Sequence, residues 1–504
     1  MSTNGSPMKR ILWLISLLLL NCDISFAQHY TADTIFSFPG NKVYAGGFAK
    51  VNDDLFITYK DGHEGKGVYA QSRTSGNSEL ILANNSFFGT DRIWDSYFHS
   101  LKNGALIDIF GKLYFTDGTR AGTRFIADFG YTGIGGSLGY DFSRILQVVQ
   151  AGRFVYLFQS RFLEYGESTD QEEPALWRID LRNLSRTKIY QDEGSEYRQT
   201  KILDSDDNGE TVIVFADRGD AGTGLWLASP NRNDIEPLAL FDNAEGRFLR
   251  VSQWQWSVRN RAGLFFCRKG IDQGEGSDGM VKDSVWRLSN SNTLARIAEN
   301  CGDYDDAAVS SDKEMLYFTL NDGREIWQNS GPTTSNRLLK LVPAGNGAFS
   351  DLCTAGNYLV ANYIDYNDWE VINGQYQFEY RVDIFSRDGS QQSLPNVEAR
   401  CIGDKVLLAG PDSRGLMAYE YDYVFTPEDS QRTKIYGTSS GEGLLTYQQF
   451  SDDVLFLYRR QVSDTGLFEN RYRDRLVSLA FNVGNYTAFL PSVMHLLEEQ
   501  DDSE

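Results

Sequence analysis

Lys112-Leu-Tyr-Phe-Thr-Asp-Gly-Thr-Arg-Ala-Gly-Thr-Arg-Phe-Ile126 reads as two short strands folded back on a tight turn. Leucine, tyrosine and phenylalanine fill the first arm, phenylalanine and isoleucine the second. Asp117-Gly118 supplies the pair of residues a hairpin turn requires, because glycine reaches φ > 0 without steric cost. The device recurs, with first arms at Gly67-Val-Tyr-Ala, Ala175-Leu-Trp-Arg, Gly224-Leu-Trp-Leu, Ser284-Val-Trp-Arg, Glu325-Ile-Trp-Gln, Arg381-Val-Asp-Ile, Leu416-Met-Ala-Tyr and Arg475-Leu-Val-Ser. Second arms include Glu79-Leu-Ile-Leu, Thr187-Lys-Ile-Tyr, Thr293-Leu-Ala-Arg-Ile and Arg337-Leu-Leu-Lys-Leu.

Ahead of each hairpin stands another pair of apolar runs parted by a polar turn. Phe48-Ala-Lys-Val, then Asn52-Asp53-Asp54, then Leu55-Phe-Ile-Thr-Tyr is one case, and stretches 352–363, 399–409 and 444–458 repeat it. The unit is therefore four strands, and nine units can be counted at intervals of 35 to 63 residues. That spacing brackets the repeat of about 50 residues found in kelch-type blades. No Pro-, Gly- or Ser-rich linker divides the chain. The pattern predicts an all-β fold, a β-propeller of four-stranded blades in one ring of eight or nine blades over residues 46–493. The aromatic at one fixed strand position is expected to pack between blades.

Residues 112–123 resemble the ELWxTDGTxxGT repeat of secreted bacterial β-propeller proteins: Asp117-Gly118-Thr119 and Gly122-Thr123 match, while Lys112-Leu113-Tyr114 replaces Glu-Leu-Trp. Glu325-Ile326-Trp327 and Gly224-Leu225-Trp226 echo its first half. The resemblance implies a propeller and export, and no activity.

Residues 1–27 read as a signal peptide: Lys9-Arg10, an apolar run from Ile11 to Leu20, and Ser25-Phe26-Ala27 before Gln28. The run is too short for a permanent span. Leu19-Leu20-Asn21-Cys22 offers a second possibility, acylation at Cys22. Residues 28–45 read as a lead-in and 494–504 as an acidic tail. These features place the protein in the periplasm, at the outer membrane or outside the cell.

With 69 acidic against 48 basic residues, a formal charge of −21 and no basic stripe, the chain repels phosphate backbones, which excludes nucleic acid as a partner class. Four cysteines follow the leader, Cys267, Cys301, Cys353 and Cys401. An oxidising compartment permits disulfides among them in three connectivities. Cys353 and Cys401 open equivalent strands, where a thiol also serves as a small hydrophobe. Zinc is not expected, since no two cysteines have ligand spacing and only His29, His63, His99 and His495 are present. Asp204-Ser-Asp206-Asp-Asn208-Gly209 matches the first half of a calcium loop, but Phe215 stands where its closing glutamate belongs, so a hairpin turn is the better reading. No cofactor is expected beyond that possibility of calcium.

Unit length varies between the second and third strands. Long connections at 159–174, 268–282, 364–380 and 459–473 alternate with short ones, and in a propeller they crown one face. Loops raised on one face of a repeat scaffold commonly bind. The candidate ligand residues there are Tyr165, Glu167, Asp272, Glu275, Asp278, Asp368, Trp369, Tyr376, Phe378 and Phe468: flat rings supply apolar area, and carboxylates pair with cations or accept hydrogen bonds. No nucleophile, base or metal constellation emerges. The expected function is a secreted or envelope-associated, non-catalytic binding or scaffold module for a protein or glycan. The alternatives are a polysaccharide hydrolase or lyase using the same face, and a structural subunit of an envelope assembly.

Overall fold

A computed structural model of the chain describes residues 30–37, 48–62, 65–83, 96–109, 111–129, 141–163, 175–191, 201–218, 221–241, 249–250, 256–270, 283–301, 305–331, 335–340, 347–372, 375–395, 397–409, 421–436, 442–449, 453–464 and 470–480. These residues form nine four-stranded antiparallel units, numbered here as blades: 48–83, 96–128, 141–191, 201–240, 249–299, 307–340, 347–395, 398–436, and 442–480 with 30–37. In blades 1 to 8 the strands pair in chain order. The innermost strand of blade 5 is split, Leu249–Arg250 and Ser257–Asn260 both pairing with Gly263–Gly270. The fold is a β-propeller.

Blade 9 is completed by Tyr30–Ser37, which runs antiparallel to Asn470–Ala480 from Ala32↔Leu479 to Ser37↔Arg475. Tyr30 and Thr31 also pair, in parallel, with Ile435 and Tyr436 of blade 8. The lead-in expected at 28–45 thus contributes a blade strand, set against residues more than four hundred positions away. Its position covers edges that would otherwise be left open on two blades. The third strand of blade 8 is Tyr421–Thr426, not Leu416-Met-Ala-Tyr, because Tyr421, Tyr423, Val424 and Phe425 are the residues that pair with Val406–Ala409. The acidic tail lies outside the described residues.

The core consists of separate clusters, one between each consecutive pair of blades from 1 to 8. A middle strand is consequently buried on both faces. In Gly263–Gly270, Leu264 and Phe266 face blade 4 while Phe265 and Cys267 face blade 6, and all four are fully buried. Such strands read as continuous apolar runs.

Blades 1 to 6 share a further device. The register between third and fourth strands slips just before the aromatic, at Tyr69, Tyr114, Trp177, Trp226, Trp286 and Trp327. The residue left unpaired opposite is always aliphatic: Ile81, Ile126, Ile189, Leu238, Ile297 or Leu338. A bulge twists its strand and turns that side chain toward the next blade. Ile81 then shares a core with Tyr114, Ile126 with Trp177, Ile189 with Trp226, Leu238 with Trp286, and Ile297 with Trp327. The repeated aromatics therefore pack between blades, as expected.

Polar side chains join neighbouring blades near the centre. Gln147 of blade 3 accepts the Ile202 N–H at 2.9 Å and donates to its carbonyl at 2.6 Å. Asn362 of blade 7 does the same to Ala399 of blade 8, at 2.8 and 3.0 Å. Each amide replaces a strand pairing that diverging blades cannot make.

The turn at 117–123 explains the residues by which 112–123 resembles the secreted repeat. Asp117 Oδ1 accepts the Thr119 N–H at 2.9 Å and its hydroxyl at 2.7 Å; Thr119 Oγ1 accepts the Gly122 N–H at 2.9 Å; and Thr123 Oγ1 donates to the Thr119 carbonyl at 2.7 Å. Gly118 has φ +92°, and a Cβ on Gly122 would lie 2.0 Å from the Asp117 carboxylate. Arg120 Nε donates to the Leu80 carbonyl of blade 1 at 2.8 Å. The motif is a self-bonded turn that anchors the neighbouring blade.

Burial of His99 on the inner strand Ser96–Leu101 lowers its pKa to about 4, and no described residue offers its Nε2 a hydrogen bond. A histidine whose folded pKa lies below the unfolded value of 6.5 costs nothing above pH 6.5. Stability then falls as pH drops from 6.5 toward 4, because only the unfolded chain takes up the proton. At 1.36 kcal/mol per pKa unit the loss is about 3 kcal/mol. Urea titrations at pH 7.5 and 4 are expected to show this component in the parent and its absence in His99→Gln.

Candidate functional site

Second and third strands meet at one face of the propeller, and there the blades are unequal. In blades 4 and 6 the pair ends at Asp217↔Thr223 and Leu320↔Glu325. In blade 3 the second strand runs past its last third-strand partner, Gln159↔Ala175, and stays paired with the first strand out to Asp141↔Leu163. In blade 9 the second and third strands continue past the first strand's last pair, Glu442↔Arg460, to Asp464↔Asn470. Long and short connections do not simply alternate, because eleven residues also separate the paired Ala409 and Tyr421 of blade 8.

Blade 7 departs most from expectation. The segment 364–380 is not a loop: Tyr358–Ile372 and Gln375–Phe385 remain paired through Asp365↔Glu379, slip register, and continue from Trp369↔Phe378 to Ile372↔Gln375. The fourth strand stops at Arg381↔Pro395 and the first at Gly347↔Asp365. What remains is a two-stranded arm, rising about 25 Å at 3.4 Å per residue.

Register sorts the arm into two faces. Trp369 and Phe378 are paired, as are Val371 and Tyr376, and residues two apart share a face. Trp369, Val371, Tyr376 and Phe378 therefore lie on one face of the ribbon, with Glu370, Ile372, Gln375 and Gln377 on the other. Tyr380 and Val382 continue the first face downward, and Val382 packs in the core shared with blade 8. Of the residues expected to bind, the structure brings Trp369, Tyr376 and Phe378 onto one face and sets Asp368 in the register slip. Tyr165, Glu167, Asp272, Glu275, Asp278 and Phe468 lie outside the described residues.

The root of the arm is polar and centred on the buried Tyr363 and Asp383. The Arg381 guanidinium lies 3.9 Å from the centroid of the Tyr363 ring, and its Nε is 3.1 Å from Asp383 Oδ2. Asp383 is fully buried and also accepts a hydrogen bond from Ser393 Oγ at 2.5 Å. The Tyr363 hydroxyl donates to Asp365 Oδ2 at 3.1 Å. A cation stacked on a ring and paired with a buried carboxylate fixes the direction in which the strands leave the blade. Tyr363, Arg381 and Asp383 were not among the sequence candidates, since a Tyr and an Arg in facing strands carry no local signal until register aligns them.

On the opposite face the segment Asp204–Gly209 forms the turn between Lys201–Asp206 and Thr211–Asp217. It borders a cleft of about 520 Å³ shared with blade 5. Asp204 pairs with Arg259 of blade 5, and Asp206 Oδ1 accepts the Asn208 N–H at 3.0 Å. Asp207 pairs with Lys102 of blade 2 and accepts the Gly152 N–H of blade 3 at 3.1 Å, which holds its carboxyl below the usual range, the Lys102 hydrogen bond contributing most. The three carboxylates turn to three sets of partners. Among the described residues no group of three or more His, Cys, Asp or Glu side chains is placed to hold a metal ion.

No protein-family model and no curated protein matches the chain. Among solved structures it is similar to a eukaryotic initiation factor, at 8% identity over 81% of this chain and 90% of that one with a TM-score of 0.45. A prolyl endopeptidase matches at 10% identity over 86% of this chain and 55% of that one, TM-score 0.37. TolB from Acinetobacter baumannii matches at 11% identity over 69% and 78%, TM-score 0.26. The chain spans just over half the length of the prolyl endopeptidase, and identities this low carry no activity across. No helix among the described residues is long and apolar enough to cross a membrane.

Proposed function

We propose that the chain is an exported, non-catalytic binding module of the cell envelope that holds a protein partner on the face where its long hairpins rise. The observation that carries this reading is the arm of blade 7, which raises Trp369, Val371, Tyr376 and Phe378 together on one side of a ribbon above an anchored root. Aromatic residues that register places on one face of a raised ribbon are the residue types that protein interfaces use at their centres. Export is supported by the leader at 1–27 and by two disulfides, Cys267–Cys301 and Cys353–Cys401, of a kind that persists in oxidising compartments.

The test is to tag the protein in its own host and identify what co-purifies from the envelope. An envelope protein is expected at stoichiometric yield. The intact mass of the purified chain reports its mature start, Gln28 on this reading and an acylated Cys22 on the other. If nothing co-purifies and the chain degrades polysaccharide instead, the binding reading fails.

A further inference from the structure

We infer that the arm at 364–380 takes an extended polypeptide segment bearing lysine or arginine as an added strand along its outer edge. The inference deepens the binding reading above and rests on it.

The first observation is an open backbone edge. Gln375–Phe385 pairs with Gln391–Pro395 only from Phe385↔Gln391 to Arg381↔Pro395. Proline has no N–H to extend the ladder and sits where the fourth strand ends. Above that level no strand among the described residues pairs with the outer side of 375–380. In an antiparallel ribbon every second residue directs both its N–H and its C=O away from its partner, so this stretch presents about three outward donor–acceptor pairs.

The second observation is that the edge lacks the usual protection. Exposed edge strands are normally blunted by proline, by lysine or by a bulge on the edge strand itself. Gln375-Tyr-Gln-Phe-Glu-Tyr380 contains neither residue, and the register slip falls in the other strand, at 366–368. Its alternation of polar and aromatic residues favours β-pairing.

The third is charge. Residues 364–380 include Asp365, Asp368, Glu370 and Glu379 and no Lys or Arg. An incoming strand that alternates basic and apolar residues meets carboxylates on the face of Glu370 and Glu379, and rings on the face of Tyr376, Phe378 and Tyr380. Strand addition of this kind draws affinity from main-chain hydrogen bonds and specificity from alternate side chains. A sugar would use the rings but leave the backbone edge unused, which is why a polypeptide is the occupant chosen.

The probe is a fluorescent ten-residue peptide alternating Lys and Val, titrated into the full-length mature protein. Comparison probes are the same peptide with Glu for Lys, the Lys peptide N-methylated at every second backbone nitrogen, and an uncharged β-glucan hexamer. The Lys peptide is expected to bind at least tenfold tighter than the Glu and N-methylated peptides, and to weaken several-fold between 50 and 300 mM NaCl. A chain whose 366–378 segment is replaced by a two-residue turn, with its thermal transition unchanged, is expected to lose that binding, as is Trp369→Ala/Phe378→Ala. Equal binding of the N-methylated and parent peptides, undiminished binding by the shortened chain, or displacement of the peptide by the hexamer would overturn the inference. If it fails while an envelope protein still co-purifies with the shortened chain, another blade carries the partner. If no partner co-purifies with the parent chain either, the binding reading falls with it.

Discussion

Removal of Tyr30–Ser37 is expected to open the propeller and to cost roughly 5 kcal/mol, from about five to seven backbone pairings each worth near 1 kcal/mol net. The strand pairs at five positions with Asn470–Ala480 and at two more with blade 8. Without it, blade 9 has three strands and ends on an eleven-residue edge. An edge of that length pairs with whatever strand it meets, so the deleted chain is expected to elute from a sizing column as larger species than the parent. A synthetic peptide of sequence 30–37, added in trans during refolding, is expected to restore the parent elution volume and unfolding midpoint. A deleted chain that keeps both unaided would show that the ring does not depend on this strand.

That dependence could not be read from the sequence, because nothing in Tyr30–Ser37 points to a partner at the other end of the chain. What was legible was everything repeated. The aromatic of the third strand recurs because each blade must fill the same gap against its predecessor, and selection at one geometric position leaves a periodic mark. The aliphatic bulge opposite it was present in the second arms of the same hairpins, as Ile81, Ile126 and Ile189, but a one-residue slip appears only once two strands are set in register. In blade 8, Leu416-Met-Ala-Tyr and Tyr421–Thr426 are both apolar strings with an aromatic, and only pairing with Lys405–Ala409 decides between them. The arm was legible and misread. Asn373-Gly374, flanked by Val371-Ile372 and by alternating Tyr376, Phe378 and Tyr380, is a strong short hairpin signal. The acids among those residues gave the segment the composition of a loop.

The cysteines show the same division, and they yield the second large effect. Equivalence of Cys353 and Cys401 in the repeat suggested two buried thiols. It is also what brings them together, because equivalent inner-strand positions of adjacent blades are neighbours, and their Cα atoms lie 5.8 Å apart. The other pair, Cys267 and Cys301, joins the second strand of blade 5 to the link leaving that blade, at 6.0 Å. The bridges span 48 and 34 residues, so the chain-entropy account assigns about 4 kcal/mol to each. Replacing either pair by alanine is expected to lower the unfolding free energy in urea by about 2 to 4 kcal/mol. Exposure separates them: Cys267 and Cys301 are fully buried, whereas Cys353 and Cys401 are half-buried. Mild reductant applied to the folded protein is therefore expected to open Cys353–Cys401 first, read by mass-tagging of free thiols over time. Blade 7 also carries the arm, whose root residue Tyr363 sits on the strand paired with that of Cys353, with Arg381 and Asp383 on the next strand out. Hydrogen exchange in Tyr358–Ile372 and Gln375–Phe385 is expected to quicken once that bridge is open, while blade 5 keeps its protection. Equal rates of reduction at the two bridges, or exchange in blade 7 that ignores the state of Cys353–Cys401, would mean that the inner-strand bridge does not hold blades 7 and 8 together.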